Sequence, residues 1–177
     1  MPVEVTGVSE LRKALKKYAP DLAKESQKEL ANLLKPIVRN ARGFLPTNAD
    51  VPSGWLKENQ KGKWANRGYD QAIASKGITY STAAGKANRQ GFRSVATIYN
   101  KSAAGAIYET AGRKSGNVGK FTPRLGGQLQ GDGQKMTGRA MFRAWAQDQG
   151  KTTAAVIKAI EAVNEKVAKL VRTGVIK

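Results

Sequence analysis

The chain has 177 residues, 40% of them apolar, which is enough for one hydrophobic core of ordinary size. It contains no cysteine and no histidine, which excludes thiol nucleophiles, disulfides, histidine acid–base catalysis and the commonest zinc sites, so we expect neither an enzyme nor a metal or cofactor site. The formal net charge of +18 has to be relieved by anionic partners, acidic protein neighbours or salt, and makes nucleic acid the first partner to consider.

Residues 9–45 have the pattern of two amphipathic helices. In the first, short helix, Leu11 and Leu15 share one face and basic residues occupy the others. Beyond Pro20, apolar residues recur mostly every three or four positions, which is typical of one stripe of a long helix. Pro36 predicts a kink in this helix or a junction between two, because proline removes a backbone hydrogen bond.

The middle of the chain has a different pattern. Turn residues and scattered aromatics over residues 47–66 predict an irregular segment, with Trp55 and Trp64 as core anchors. Over residues 67–111, short runs of Ile, Val, Thr and Tyr separated by Gly, Ala and Asn predict antiparallel strands. Residues 102–105 are the candidate hairpin turn.

Residues 112–135 are rich in glycine and almost without periodicity, which predicts a flexible basic loop. The phosphate-binding loop pattern fails here because Lys114 and Phe121 stand where it needs glycine and a hydroxyl residue. Basic side chains on such a loop either neutralise phosphates or meet acidic protein surfaces, and the sequence leaves both open. The candidates for these contacts are Arg113, Lys114, Lys120 and Arg124.

Residues 137–173 are predicted to be helical. Thr137 is a candidate N-cap of a first helix in which Phe142 and Trp145 are expected to be core anchors. After Gly150, apolar residues recur in alternating steps of four and three, which indicates an amphipathic helix. Its stripe packs either on the sheet and the long N-terminal helix or in an intermolecular coiled coil.

Glu109 stands out as an isolated acid before a basic segment. On a strand it would point away from the face that carries Tyr108. One interpretation is a strand-end carboxylate that meets a local lysine. The other is a salt bridge between subunits, with Arg113 or Lys114 of the next copy as the partner.

No apolar run approaches the roughly 18 residues of a membrane span. The polar start "MPVEVTGVSE" has no signal-peptide core, so we expect a protein made in the cytoplasm with no membrane contact. No helix-turn-helix, zinc-finger or common RNA-binding signature is present, which leaves only non-specific nucleic-acid contact open.

Three stretches of the sequence are considered together: residues 3–46, residues 107–112 and residues 139–163. Together they resemble the small neck proteins of long-tailed bacteriophages. These are the tail-completion proteins, similar to the gene Z product-like minor tail proteins of lambda-like phages. The opening "VEVTGVSELRKALKKYAPDLAKESQKELANLLKPIVRNARGFLP" resembles their start, in which a long basic helix ends at "AR...P", here Ala41, Arg42 and Pro46. The stretch "IYETAG" resembles their "Y..E.G" element, and "RAMFRAWAQDQGKTTAAVIKAIEAV" resembles their aromatic segment and C-terminal helix.

The resemblance implies a homo-oligomeric ring, expected to be a hexamer, in the neck of a siphophage virion. Its partners would be the head-closing connector protein and the tail terminator or tail tube protein, with genomic DNA passing transiently through the lumen. The element around Glu109 would then lie at a sheet edge that faces a neighbouring copy. Residues 112–135 would form an arm that orders on assembly.

The sequence thus predicts a single α+β domain over residues 1–177. A long N-terminal helix and a C-terminal helix would pack on a small antiparallel sheet, with a long Gly-rich basic loop. The expected function is structural: a virion ring that joins the head-closing connector to the tail. The alternatives are a tail terminator and a non-specific nucleic-acid-binding protein.

Overall fold

The structure is a computed structural model that describes residues 8–83, 85–89, 91, 94–113, 121–125, 129–131 and 137–173. Over these residues the fold is α+β. The helices are α1 (Val8–Tyr18), α2 (Pro20–Gly43), α3 (Gln71–Gly77), α4 (Ala103–Thr110), α5 (Met141–Asp148) and α6 (Lys151–Arg172). The strands are β1 (Ile78–Ser81), β2 (Thr97–Asn100), β3 (Gln130–Gly131) and β4 (Thr137–Gly138).

The strands form two small sheets. β1 pairs with β2, and β3 pairs antiparallel with β4, with Gln130 opposite Gly138 and Gly131 opposite Thr137. Short 3₁₀ turns supply most of the remaining described backbone, at Asn48–Asp50, Ser53–Trp55, Lys57–Asn59, Gly62–Arg67 and Thr122–Leu125. Residues 47–66 therefore form successive tight turns.

Residues 67–111 contain more helix than the sequence suggested. Two helices, α3 and α4, lie in a region predicted to be antiparallel strands. Each begins at a side-chain cap: the Asp70 carboxylate accepts from the Ile73 backbone N–H at 2.9 Å, and the Ser102 hydroxyl accepts from the Gly105 N–H at 3.1 Å. The prediction of strands throughout is wrong because these local caps start helices in spite of the β-favouring composition. The candidate turn at residues 102–105 is the first turn of α4.

The chain divides into two compact units. Unit 1 contains Met1–Lys35, Tyr80–Thr97 and Lys151–Lys177. Its core is a cluster in which the α6 stripe meets α1 and the start of α2, with buried Leu15, Ala23 and Val163 surrounded by Leu11, Ala19, Leu22 and Val167. A surface ion pair, Lys166 to Glu25 at 3.1 Å, joins α6 to α2. The α6 stripe is thus used within the chain, against helices.

Unit 2 contains Pro36–Thr79 and Ile98–Gly150. Its core combines the second half of α2 with residues from the turns and the later helices, and includes buried Ile37, Val38, Ala41, Leu45, Tyr69, Ile78, Tyr108, Leu125, Ala140 and Ala144. The Arg42 guanidinium donates through Nε and Nη2 to the Ile78 carbonyl at 3.2 and 2.8 Å, which ties the end of α2 to β1.

Part of the predicted flexible loop is anchored. Leu125 is fully buried, and Gln130–Gly131 form β3, so the expectation of a continuous loop over residues 112–135 is wrong at these positions. Residues 114–120, 126–128 and 132–135 of this stretch, with Lys114 and Lys120 among them, lie outside the described residues. A single domain over residues 1–177 stays a prediction. Among the described helices, none is long and apolar enough to cross a membrane.

Candidate functional site

Glu109 lies at the centre of a buried junction in unit 2. It sits on α4, is 2% exposed, and points at the N-terminus of α5. Its Oε2 accepts hydrogen bonds from the backbone N–H groups of Ala140 at 2.8 Å and Met141 at 3.0 Å, and its Oε1 accepts from the Phe142 N–H at 2.9 Å. The first N–H groups of a helix have no partner within it, and its N-terminus favours negative charge. Glu109 therefore caps α5 from a distant part of the chain.

Both sequence-based interpretations of Glu109 are wrong. The residue lies on a helix, so it is not a strand-end acid that meets a lysine. Its carboxylate is buried and bonded to three backbone N–H groups, so it is not at the surface for an ion pair with a second copy. Thr137, the predicted cap, belongs to β4 instead, and the residue before α5 is Ala140, whose side chain cannot cap.

Arg139 joins the other end of α4 to the same junction. It is 4% exposed, and its Nη1 donates to the carbonyl oxygens of Tyr108, at 3.0 Å, and Ala111. Burial lowers the pKa of Arg139, because the charged guanidinium is removed from water. Its cation lies among the unpaired carbonyls at the C-terminus of α4, where a positive charge is favoured. Sequence reasoning missed this residue, since nothing in its local pattern distinguishes it from a surface arginine.

Two tyrosines secure the segment that follows α2. The Tyr108 hydroxyl donates to the Phe44 carbonyl at 3.3 Å, and the Tyr69 hydroxyl donates to the Pro46 carbonyl at 2.7 Å. The Arg143 guanidinium lies 4.1 Å from the centre of the Phe44 ring, within the range of a cation–π contact. Burial raises the pKa of both tyrosines, which keeps the hydroxyls protonated as donors.

The predicted contact residues are only partly described. Arg113 follows α4, is exposed, and its guanidinium lies 4.8 Å from the centre of the Phe142 ring. Arg124 is exposed in the turn Thr122–Leu125. Lys114 and Lys120 lie outside the described residues. Arg113 and Arg124 therefore remain candidates for contact with a partner, whereas Glu109 does not.

The predicted core anchors behave differently from one another. Trp55 is 8% exposed, packs on Tyr69 with ring centres 4.9 Å apart, and donates from Nε1 to the Arg67 carbonyl at 2.9 Å. Phe142 is half-buried, and the side chain of Trp64 lies outside the described part of the chain. Trp145 is 45% exposed, so its prediction as a core anchor is wrong: the buried residue of α5 is its neighbour Ala144, about 100° further round the helix.

Gly138 gives the Glu109 cap a direct test. A Cβ at this position would clash with the Glu109 carboxylate and lie 2.9 Å from Cδ2 of the Phe142 ring. We expect Gly138→Ala to lower the free energy of unfolding by about 2–3 kcal/mol, because the carboxylate must leave its three donors or the backbone must shift. Urea denaturation measures this, with Gly43→Ala as the control, since a Cβ at Gly43 meets nothing within 4 Å. Equal stability of the two variants would contradict the cap.

The contacts of Glu109 and Arg139 join α4 to the start of α5. Within the described residues, no group of three or more acidic side chains is placed to hold a metal ion. Comparison with known proteins finds no matching family model, no matching curated protein and no matching solved structure.

Proposed function

We propose that this chain is a structural protein of a siphophage neck, a tail-completion protein that forms a ring between the head-closing connector and the tail. The observation that carries the proposal is the way its three family-like motifs meet in unit 2. Three short matches that lie far apart in the sequence but contact one another in the fold support the resemblance to tail-completion proteins more strongly than each match does alone.

The first motif, "AR...P", contributes contacts that fix the end of α2. Ala41 is fully buried, and Arg42 binds the Ile78 carbonyl. The carbonyl of Pro46 accepts from Tyr69. These three residues fix how the chain leaves α2, which gives a physical reason for a pattern of this kind at the end of a long helix.

The second motif connects the first to the third. Tyr108 donates to Phe44, which lies within the "ARGFLP" stretch of the first motif. Glu109 receives the N–H groups at the start of the aromatic segment, from Ala140 to Phe142. Gly112 has φ +80°, a conformation that favours glycine, so Tyr108, Glu109 and Gly112 supply one tyrosine contact, one cap and one turn.

In this proposal the protein works by geometry and carries out no reaction. A ring of six copies would hold the head-closing connector on one side and the tail terminator or tail tube on the other, with DNA in the lumen. A DNA-conducting lumen should not bind DNA tightly, so we infer that much of the +18 charge faces acidic protein surfaces instead. A tail terminator is the nearest alternative, since it is also a ring-forming α+β protein.

A non-specific nucleic-acid-binding protein is the competing class, and the +18 charge is the observation that favours it. Light-scattering mass across a salt series, with and without a short DNA duplex, separates the two. We expect a monomer or a closed ring whose mass is unchanged by DNA near 0.15 M salt. Tight, strongly salt-dependent binding of DNA by a monomer would overturn the neck assignment.

The contact residues provide a second test. Reversing the charges of Arg113, Lys114, Lys120 and Arg124 to glutamate in one variant should block the joining of heads to tails, because acidic partner surfaces would then be repelled. Circular dichroism and thermal unfolding of the purified variant check that it is folded. Normal joining by a folded variant would refute the role of these residues.

A further inference from the structure

Unit 2 contains an open cleft near Trp55, and one of its lining residues, Arg124, is also among the proposed contact residues. Its volume is about 420 Å³, within the range of small-ligand and peptide side-chain pockets. We call it the Trp55 cleft and define it by its lining residues, which are Pro52, Ser53, Gly54, Trp55, Phe121 and Arg124.

Most polar atoms of the cleft wall already have partners. The Ser53 carbonyl accepts from the Asn59 side-chain amide at 2.7 Å, and the Gly54 carbonyl accepts from the Gln60 side-chain amide. The indole N–H of Trp55 is bonded to a backbone carbonyl. These hydrogen bonds hold the wall of the cleft in shape.

Arg124 is the charged group of the cleft. It is exposed, and within the described part of the chain its guanidinium has no hydrogen-bond or ion-pair partner. Phe121 is 36% exposed and stands edge-on to Trp55, with ring centres 5.2 Å apart. The cleft therefore presents an apolar wall and, on Arg124, a guanidinium whose planar geometry matches a carboxylate.

We propose that the Trp55 cleft binds a short segment of another protein that presents an apolar side chain next to a carboxylate. The carboxylate pairs with the Arg124 guanidinium, and the apolar side chain packs against Phe121 and Pro52. The charge balance of the chain, with 31 basic and 13 acidic residues, makes an acidic protein a better source of this segment than a second copy.

The aromatic geometry favours a protein segment over single-stranded nucleic acid. Bases bind by stacking on open aromatic faces. Trp55 is 8% exposed, because Tyr69 lies tilted at 38° on it and Phe121 meets it at 86°. In the described part of the chain these two rings leave no open indole face for a base, whereas a side chain of leucine size needs only the apolar wall.

The test uses the purified full-length protein and four small probes. N-acetyl-leucine and N-acetyl-phenylalanine carry both an apolar side chain and a carboxylate, N-acetyl-leucine amide lacks the charge, and acetate lacks the side chain. Titrations followed by the ¹⁵N NMR signals of the Trp55 indole and of the Phe121 and Arg124 amides should saturate with the first two probes. We expect the other two to bind at least about tenfold more weakly.

Variants then locate the binding energy. Arg124→Gln should weaken binding of N-acetyl-leucine about tenfold or more, and Phe121→Ser should also weaken it. The control is Arg39→Gln, which removes an exposed charge of α2 in the same unit. Its affinity for N-acetyl-leucine should stay within about twofold of the wild-type value. Equal weakening by Arg124→Gln and Arg39→Gln would show general charge attraction and overturn the proposal. So would shifts spread over many basic residues.

Two further outcomes would identify a different occupant. If an oligothymidine shifts the same three signals and displaces N-acetyl-leucine, the cleft is a nucleic-acid site and the proposal is wrong. If the signals move with protein concentration in the absence of any probe, the occupant is a second copy and the proposal is again wrong. All of these measurements use the isolated protein, so their failure leaves the neck assignment to its own tests.

Discussion

Replacing Glu109 with alanine is expected to lower the free energy of unfolding by about 3–5 kcal/mol. The carboxylate accepts three backbone N–H groups at the start of α5, and Ala140, one of the donors, is 1% exposed. Alanine would leave these donors without a partner in a place that water does not reach easily. It would also remove the negative charge near the buried guanidinium of Arg139. Urea denaturation of the purified protein measures the loss.

Two further variants separate the cap from a general effect of charge. Glu58→Ala removes an exposed acid of the same unit and should change the free energy of unfolding by less than about 0.5 kcal/mol. Glu109→Gln keeps one acceptor oxygen but turns an amide donor toward a backbone donor, so its stability should lie between those of the wild type and Glu109→Ala. A loss below about 1 kcal/mol in Glu109→Ala would show that α5 does not depend on this cap.

Three residues of the family-like stretches are buried and therefore contribute to folding but not to contact with a partner. Ala41, Tyr108 and Glu109 are buried and bonded within unit 2, so they specify how its segments meet. Any partner has to be recognised by exposed groups, of which Arg113 and Arg124 are described examples. These buried residues therefore determine how unit 2 folds, and the exposed surface around them decides which proteins are bound.

The helices with strong periodicity could be predicted from the sequence. The structure has α1 and α2 where the spacing of leucines indicates two helices, and α6 along the predicted C-terminal stripe. A repeat of three and four positions reports directly which face is buried, and it needs no information from elsewhere in the chain. The short helices are harder, because α3 and α4 depend on one capping side chain each, at Asp70 and Ser102.

The junction could not be predicted from sequence because its contacts are non-local. Glu109 and Ala140 are 31 positions apart. No local sequence pattern indicates that Glu109 caps α5, the helix that begins after Ala140. One sequence feature did point to it: alanine at position 140 has no side chain that could cap α5. The free N–H groups at the start of this helix therefore need a hydrogen-bond acceptor from another segment. The prediction of Trp145 as a core anchor was wrong for a different reason. The helix α5 has eight residues, too few turns for its apolar residues to define a buried face.

The second large effect is expected in unit 1, at Ile160 of α6. Ile160 is 7% exposed and lines a small cavity of about 20 Å³ together with Leu15, Leu30 and Val163. Arg12 lines the same cavity, its Nη2 is buried, and within the described residues this atom has no hydrogen-bond partner. Burial lowers the pKa of Arg12 because the charged form is partly removed from water. Ile160→Lys would place a second cation beside this one.

We therefore expect Ile160→Lys to destabilise unit 1 by about 4 kcal/mol or more, measured as loss of helical circular dichroism and a lower urea midpoint. Ile160→Met is the matched control, because it keeps an apolar side chain of similar volume and should cost less than about 1.5 kcal/mol. Ile160→Asp should fall between them, because its carboxylate can pair with Arg12. If Ile160→Lys is as stable as Ile160→Met, the α6 stripe is not part of the core. If, in addition, the stability of the wild-type protein rises with its concentration, the stripe belongs to an intermolecular coiled coil instead.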